Sequence, residues 1–271
     1  MKYSKFILSL LLASCLTLSS QAKGIFYNVL DYGAKGDGKT NNTKAINAAI
    51  TAAAKNGGGT VYFPAGNFLS FTIRMKSKIN LHLDQGAVLI GDQEANGVGY
   101  DLPEEDAWYK KFQDFGHSYW KNSLIYGDSL RDISITGNGM IWGRGLYTYD
   151  KPKIQGSGNK AIGLKNCFNV TIRDVSILHG GHFCILATGV DNLTIDNVRA
   201  DADRDAFDID CCKNVRGLQL QHQLPHRRRA LPQILLRSGL CQSHGKCDDH
   251  QLPGLRLRPR HPDRRYLSVA L

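Results

Sequence analysis

The chain has 271 residues, 42% of them hydrophobic, enough for one large domain or two modest ones with a sizeable core. Its formal net charge of +10 would ordinarily suggest an anionic partner. However, ten Lys and Arg residues and only three aspartates lie from Gly217 onward, so +7 of that charge belongs to the tail. The remaining +3 is no signal for nucleic acid, and no segment after the N-terminus is apolar for long enough to span a bilayer.

The N-terminus reads as a secretory signal over residues 1–22. Lys2 and Lys5 precede an apolar run from Phe6 to Leu18, and Ser20-Gln21-Ala22 offers a small-x-small cleavage site. A secreted or periplasmic protein is expected. Leu12-Ala13-Ser14-Cys15 also resembles a bacterial lipoprotein box that would anchor the chain through Cys15. The apolar run continues past Cys15, which favours cleavage near Ala22.

Phe26-Tyr27-Asn28-Val29 begins a strand, and Asp31 to Gly38 follows as a glycine-rich turn. Asn41-Asn42-Thr43 caps a helix with Ala45, Ile46, Ala49, Ile50 and Ala53 on one face. Thr60 to Phe63 is a strand, closed by Pro64-Ala65-Gly66. No Gly-Lys-Ser/Thr follows these glycines, so they form no phosphate loop. The helix is expected to cap the open end of a sheet stack, which would otherwise invite edge-to-edge pairing. Strands at Phe71–Ile73, Ile79–Leu83 and Ala87–Gly91 alternate with turns. Asp92 to Ser123 breaks the rhythm as a long loop, rich in acidic and aromatic residues. Its aromatics either stack on sugar rings or form a small satellite core, and His117 within it is uninformative alone.

A repeat then appears. Asp132-Ile133-Ser134-Ile135 is echoed by Asn169-Val170-Thr171-Ile172, by Asn192-Leu193-Thr194-Ile195 and by Asn214-Val215-Arg216; the last three starts are 23 and 22 residues apart. A fixed period carrying short β-branched strands with Asn at the turns marks a β-solenoid. A sandwich gives short strands but no such recurring phrase.

Five aspartates fall within Asp201 to Asp210, among apolar residues that read as strand. Repelling carboxylates are costly to hold together unless they bind something or do chemistry. Among the cysteines, Cys167, Cys184, Cys211 and Cys212 have no zinc-site spacing. Export permits disulfides, but buried free thiols are the expectation. No metal and no cofactor is expected.

Tyr27-Asn28-Val29-Leu30-Asp31-Tyr32-Gly33-Ala34-Lys35-Gly36-Asp37-Gly38 and Gly57 to Gly66 resemble the opening of pectin-degrading parallel β-helices. Gly137-Asn138-Gly139-Met140-Ile141-Trp142-Gly143-Arg144-Gly145 and Asp203-Arg204-Asp205-Ala206-Phe207-Asp208 narrow the resemblance to glycoside hydrolase family 28, the polygalacturonase-like enzymes. It covers about Ile25 to Arg216. It implies an all-β fold, a right-handed parallel β-helix with an N-terminal capping helix. It also implies inverting hydrolysis of a pectic polysaccharide or oligosaccharide, most simply by a monomer. In that chemistry one protonated carboxyl serves the leaving oxygen and a second carboxylate activates water, roughly 6.5–9.5 Å away.

Asp205 aligns with the family's catalytic aspartate and is expected to be the base, with Asp208 supporting the site. Asp203 and Arg204 replace the family's Asn and Thr, and Ala206 its Gly. Asp203, Arg204 and His182 are the candidate substrate-binding residues. His179 and His182 either border the sugar above the sheet or are packed and solvated. Lys160 and Lys165 either meet uronate carboxylates or are charged turn residues. Asp210 is expected at a turn or in an inward hydrogen bond. Two other readings remain: a pectate lyase that abstracts a proton beside a uronate, with the aspartates holding Ca²⁺, and a carbohydrate-binding β-helix without activity.

The family's next motifs, a paired Asp-Asp and then Gly-His-Gly and Arg-Ile-Lys, are absent downstream, and Asp248-Asp249 lies too far on. From Gly217 to Leu271 there is no Glu, Asn, Thr, Phe, Trp or Met. Gln223 to Ala230 can be encoded so that a one-base displacement reads Asn-Ser-Pro-Thr-Asp-Asp-Ala. His244 to Gln251 likewise yields Thr-Glu-Asn-Val-Thr-Ile-Thr, and Gly217 to Gln223 yields Val-Ser-Asn-Cys-Ser-Ile-Asn. One extra base near Arg216-Gly217 accounts for all three. Residues 23–216 are therefore expected to be the N-terminal part of a β-helix glycosidase domain, and residues 217–271 an out-of-frame tail without packed structure. The rival is a genuine basic tail for an anionic polymer.

Overall fold

The computed structural model describes residues 26–105, 119–147 and 156–223, with side chains to Leu220, and four short strands beyond them. Three parallel sheets wind around one core. The first contains Phe26–Asn28, Gly59–Phe63, Ile79–Leu83, Arg131–Thr136, Phe168–Arg173, Asp191–Asp196 and the start of Lys213–Gln223. The second contains Asp37–Asn41, Gly66–Ser70, Ala87–Gly91, Met140–Trp142, Ser176–Leu178 and Arg199–Asp201. The third contains Ile73–Arg74, Ser123–Asp128, Lys160–Lys165, Phe183–Thr188 and Asp205–Asp210. This is the expected right-handed parallel β-helix.

The repeat phrase is the register of the first sheet. Ile133, Val170, Leu193 and Val215 form one column, and Leu81, Ile135, Ile172 and Ile195 the next. These side chains point inward and are buried or partly buried. On the third sheet Ile125, Ile162, Ile185 and Phe207 do the same. No rung could bury its apolar face alone; stacked, they share one core.

The asparagines of the phrase have a backbone reason. Asp132, Asn169, Asn192 and Asn214 adopt left-handed φ angles of 57°, 58°, 59° and 52°, a conformation Asn and Asp tolerate better than other residues with a Cβ. Their side chains also link the rungs. The Asn169 amide donates to Asp132 (2.7 Å) and the Asn192 amide donates to Asn169 (3.1 Å). Asn197 makes the same bond to Asp174 (2.9 Å) at a second corner.

The helix Thr43–Lys55 lies at the N-terminal end and buries Ile46, Ala49, Ile50 and Ala53, with Ala45 partly buried. Its start differs in detail from the expected cap. The Asn42 side chain receives the Lys35 amide and donates to Lys35 and Thr40 carbonyls, so it tethers the preceding turn. Asn41 instead accepts the Thr43 amide and hydroxyl. The glycine-rich turn also contains a 3-10 turn, Val29–Tyr32, and the strand Asp37–Asn41.

Two of the long loop's aromatics are packed. Tyr100 joins the main core and its hydroxyl donates to the Asp92 carbonyl. Trp120 joins Phe183, Leu186 and Tyr126 in a satellite cluster. Trp108, Tyr109, Phe112, Phe115 and His117 lie outside the described residues. Cys211 is disulfide-bonded, correcting the expectation of a free thiol there, whereas Cys167, Cys184 and Cys212 form no disulfide.

Past Arg216 the strand Lys213–Gln223 runs on. Ile234–Arg237 pairs in parallel with Asp205–Asp210, and Leu267–Ala270 pairs antiparallel with Lys213–Gln223. The tail, expected to lack packed structure, thus contributes strands to the edge of the stack, and an open edge offers its unpaired N–H and C=O groups to any sequence. Among the described residues no helix is long and apolar enough to cross a membrane.

Candidate active site

The third sheet positions the aspartates. Ile185 and Ala187 belong to the core, whereas Phe183 and Leu186 belong to the satellite cluster on the opposite face. Asp205 is in register with Phe183, and Asp208 with Leu186. Both carboxylates therefore share the outer face with that cluster. Asp210 is in register with Thr188, whose hydroxyl accepts the Trp120 indole N–H (3.2 Å). Asp210 thus sits in the strand on the outer face, correcting the expectation of a turn or inward residue. Moving along the stack, outer positions change from Ser123, Lys160 and Phe183 to Asp205, and from Tyr126, Gly163 and Leu186 to Asp208. A third column runs from Asp128 through Lys165 and Thr188 to Asp210, so the first of these rungs carries one carboxylate and the last carries three.

All three carboxylates are buried: Asp208 has no exposed surface and Asp205 and Asp210 have 7% each. A buried carboxylate costs several kcal/mol unless positive charge or hydrogen bonds offset it. Arg204 does so for Asp205, its Nε lying 3.1 Å from Oδ2 in an ion pair. Arg204 Nη1 lies 3.0 Å from His182 Nε2. A guanidinium can only donate, so His182 accepts there and carries its ring proton on Nδ1. The Arg204 guanidinium also stands 5.6 Å over the Phe183 ring, and the Lys160 ammonium 5.9 Å from it.

Three sequence candidates, His182, Arg204 and Asp205, thus form one contact group, with Asp208 on the same face. Asp203 is half-buried at the corner before them, its backbone amide bonded to the Gly181 carbonyl. Lys160 is a strand residue, fully buried, whose ammonium donates to the Asn159 side chain at 2.6 Å. Lys165 ends its strand with its ammonium 4.5 Å over the Trp120 ring. Phe183, part of the apolar floor of the face, carried no signal in the sequence, whereas Trp120 is one of the loop aromatics expected either to stack on sugar rings or to form a satellite core, and it forms the core. Burial, and then the Asp128 carboxylate, push the Tyr126 phenol up, so it stays a donor on this face. Among the described residues no group of three or more His, Cys, Asp or Glu is placed to hold a metal.

Fold and face together define a parallel β-helix that carries buried carboxylates and positive charge on one outer sheet. Residues 26–216 match the family described as "Rhamnogalacturonase A/epimerase, pectate lyase-like", and the chain belongs to it. The resemblance to polygalacturonase-like enzymes holds. A Vitis vinifera protein named "Probable polygalacturonase" is 29% identical over 203 residues, 70% of this chain and 40% of that protein. The "Plasmin and fibronectin-binding protein A" of Streptococcus pneumoniae is 35% identical over 182 residues, 64% of this chain and 23% of that protein. Among solved structures, a hyperthermoactive exopolygalacturonase from Thermotoga maritima superposes with a TM-score of 0.57 at 20% identity, over 73% of this chain and 52% of that one. The chain spans well under half the length of the curated relatives it matches.

Proposed function

We propose that residues 23–216 are the N-terminal part of an exported glycosidase that hydrolyses galacturonosyl linkages of pectin with inversion. Asp205 activates water and Asp208 supports it, while Asp203, Arg204 and His182 meet the sugar. The observation that carries this reading is the placement of Asp205 and Asp208 on one outer face, beside Arg204 and Lys160. Carboxylates supply the acid–base chemistry, and the cations suit a negatively charged sugar. To act as base, Asp205 must first be released by Arg204, and a substrate carboxylate is the natural exchange partner for the guanidinium. The leader at residues 1–22 accounts for export, with anchoring through Cys15 as the alternative processing.

The same proposal makes residues 217–271 an out-of-frame tail and the present chain inactive, because the general acid would come from the rung after Asp205. Two observations support this. The family match ends at residue 216. The core column Leu81, Ile135, Ile172, Ile195 continues into Gly217, a residue with no side chain to bury, where the displaced frame reads Val. Sequencing the gene across codon 216 should reveal one extra base. A frame-restored chain should then release reducing ends from polygalacturonate, lose that activity on Asp205→Asn, and show none as the 271-residue chain. An unsaturated uronate product abolished by chelator would instead establish a lyase. Similarity to the pneumococcal binding protein favours a second reading, a β-helix that binds without catalysis. Sugar binding unchanged by Asp205→Ala, with no turnover by the restored chain, would select it.

A further inference from the structure

Beside the aspartate face lies a second cluster that the proposed chemistry does not use. The corner from the second sheet to the third passes through His179, Gly180 and Gly181 immediately before His182. Three rungs converge on it. Trp142 ends one strand, and its indole N–H donates to His179 Nδ1 at 3.3 Å. Asp201 ends another, accepting the His179 backbone N–H at 3.4 Å, with its Oδ2 3.7 Å from His179 Nε2. The Arg144 guanidinium sits 5.5 Å over the Trp142 ring.

The arrangement is built into the backbone. A Cβ on Gly143 would lie 2.2 Å from the His179 carbonyl oxygen, and one on Gly145 would lie 2.1 Å from that of Asp92. Only glycine lets this segment approach so closely. His179 itself takes a left-handed φ of 50° and keeps 60% of its side chain exposed. Because Nδ1 accepts from Trp142, the neutral ring carries its proton on Nε2. The Nε2–Oδ2 separation is longer than a hydrogen bond, so Asp201 does not consume that N–H. The corner therefore presents a guanidinium within cation–π distance of an indole, a ring N–H and a carboxylate. Stacking on an aromatic ring orients an arginine for planar, bidentate carboxylate recognition. The His179 N–H and the Asp201 oxygens suit neighbouring hydroxyls.

We infer that Trp142, Arg144, His179 and Asp201 form a uronate-binding subsite flanking the Asp205 face, with Arg144 taking the sugar carboxylate. The inference rests on the galacturonan reading above and adds a second anchoring point for the polymer. Backbone bonds connect the two places: the Gly180 amide donates to the Asp201 carbonyl, the Asp203 amide to Gly181 and the Asp205 amide to His182.

Titration of the 271-residue chain with trigalacturonate and with neutral galactotriose, followed by calorimetry, tests it. Arg144→Gln should weaken trigalacturonate binding at least tenfold and leave galactotriose unchanged. Arg144→Lys, which keeps the charge but not the fork, should fall between. His179→Ala should weaken both sugars a few-fold. Trigalacturonate affinity unchanged in both Arg144→Gln and His179→Ala would overturn the subsite and leave the catalytic reading standing. An unchanged circular dichroism spectrum excludes unfolding as the cause of any loss. If the unaltered chain binds no trigalacturonate, the subsite falls, while the galacturonan reading stands or falls with turnover by the frame-restored chain.

Discussion

Replacing Asn192 isolates the reason the repeat phrase begins with asparagine. Asn192 is exposed, adopts φ of 59° and donates one side-chain hydrogen bond to Asn169. Asn192→Ala removes that bond, worth about 0.5 kcal/mol at an exposed position, and forces a Cβ without a local hydrogen-bonding group into the left-handed region, at about 1–2 kcal/mol. Asn192→Gly removes the same bond but meets no steric penalty, and its cost is mainly the added freedom of the unfolded chain, about 0.5–1 kcal/mol. The alanine variant should therefore lose about 1.5–2.5 kcal/mol and the glycine variant about 1–1.5 kcal/mol. Both lack the amide, so their difference reports backbone conformation alone. Urea unfolding followed by circular dichroism, with the denaturant dependence constant across the set, measures it. Equal stability of the two variants, or a more stable alanine, would show that the corner relaxes without a left-handed residue, and the argument from the phrase to the solenoid corner would fail.

Core substitutions should follow the stacking. Ile172 is fully buried between Ile135 and Ile195, so Ile172→Ala should cost about 4 kcal/mol. Ile195→Ala should cost about 1 kcal/mol less, because its next-rung neighbour is Gly217 and the site can collapse more easily. Equal losses in urea unfolding would contradict that. A pH prediction concerns Asp37, whose carboxyl is held down from 3.8 to about 2, first by the Thr40 amide, then by the Lys39 amide and the Thr40 hydroxyl. A carboxyl whose folded pKa is depressed contributes stability that is present above its unfolded pKa and lost as pH falls through the folded one. The stability gap between the unaltered chain and Asp37→Asn should thus be present above pH 3.8 and close as pH falls to about 2. A gap constant across that window would rule out this role.

The sequence made the solenoid legible through its corners. A left-handed residue recurs once per rung at the same place, so Asn169, Asn192 and Asn214 recur at the rung period. The capping helix was equally readable, since Ile46, Ala49, Ile50 and Ala53 repeat at helical spacing. The third sheet was harder. Phe183–Thr188 and Asp205–Asp210 are buried on both faces, so neither strand shows the alternation that would tell inward from outward residues. That is why Asp205 and Arg204 could be named from a motif while Phe183 beneath them could not, and Trp120 only as one aromatic of the long loop. The Trp142–His179 contact joins neighbouring rungs whose residues are far apart in sequence, and its parts carry no local pattern. The disulfide at Cys211 was unreadable for the same reason: spacing alone selects no partner.

The period of the stack also bears on what should follow Arg216. On the third sheet Lys160 faces Phe183, and Phe183 faces Asp205. One further rung, as long as either of these two, places residue 227 or 228 against Asp205. In the present chain these are Arg227 and Arg228, two cations where an acid–base site needs a proton donor. In the displaced frame the same two codons can read Asp-Asp. By the same spacing, position 229 or 230 should face Phe207. The actual tail instead sets Ile234 there, a step longer than those from Ile162 to Ile185 and from Ile185 to Phe207 but shorter than the one from Ile125 to Ile162. If the next rung were as long as the last two, spacing and codon choice would point to the same two positions, because a parallel solenoid fixes which residue of each rung lies over which residue of the last. A lesion at codon 216 would therefore leave Asp205 and Asp208 correctly placed and remove the carboxylates that must oppose them.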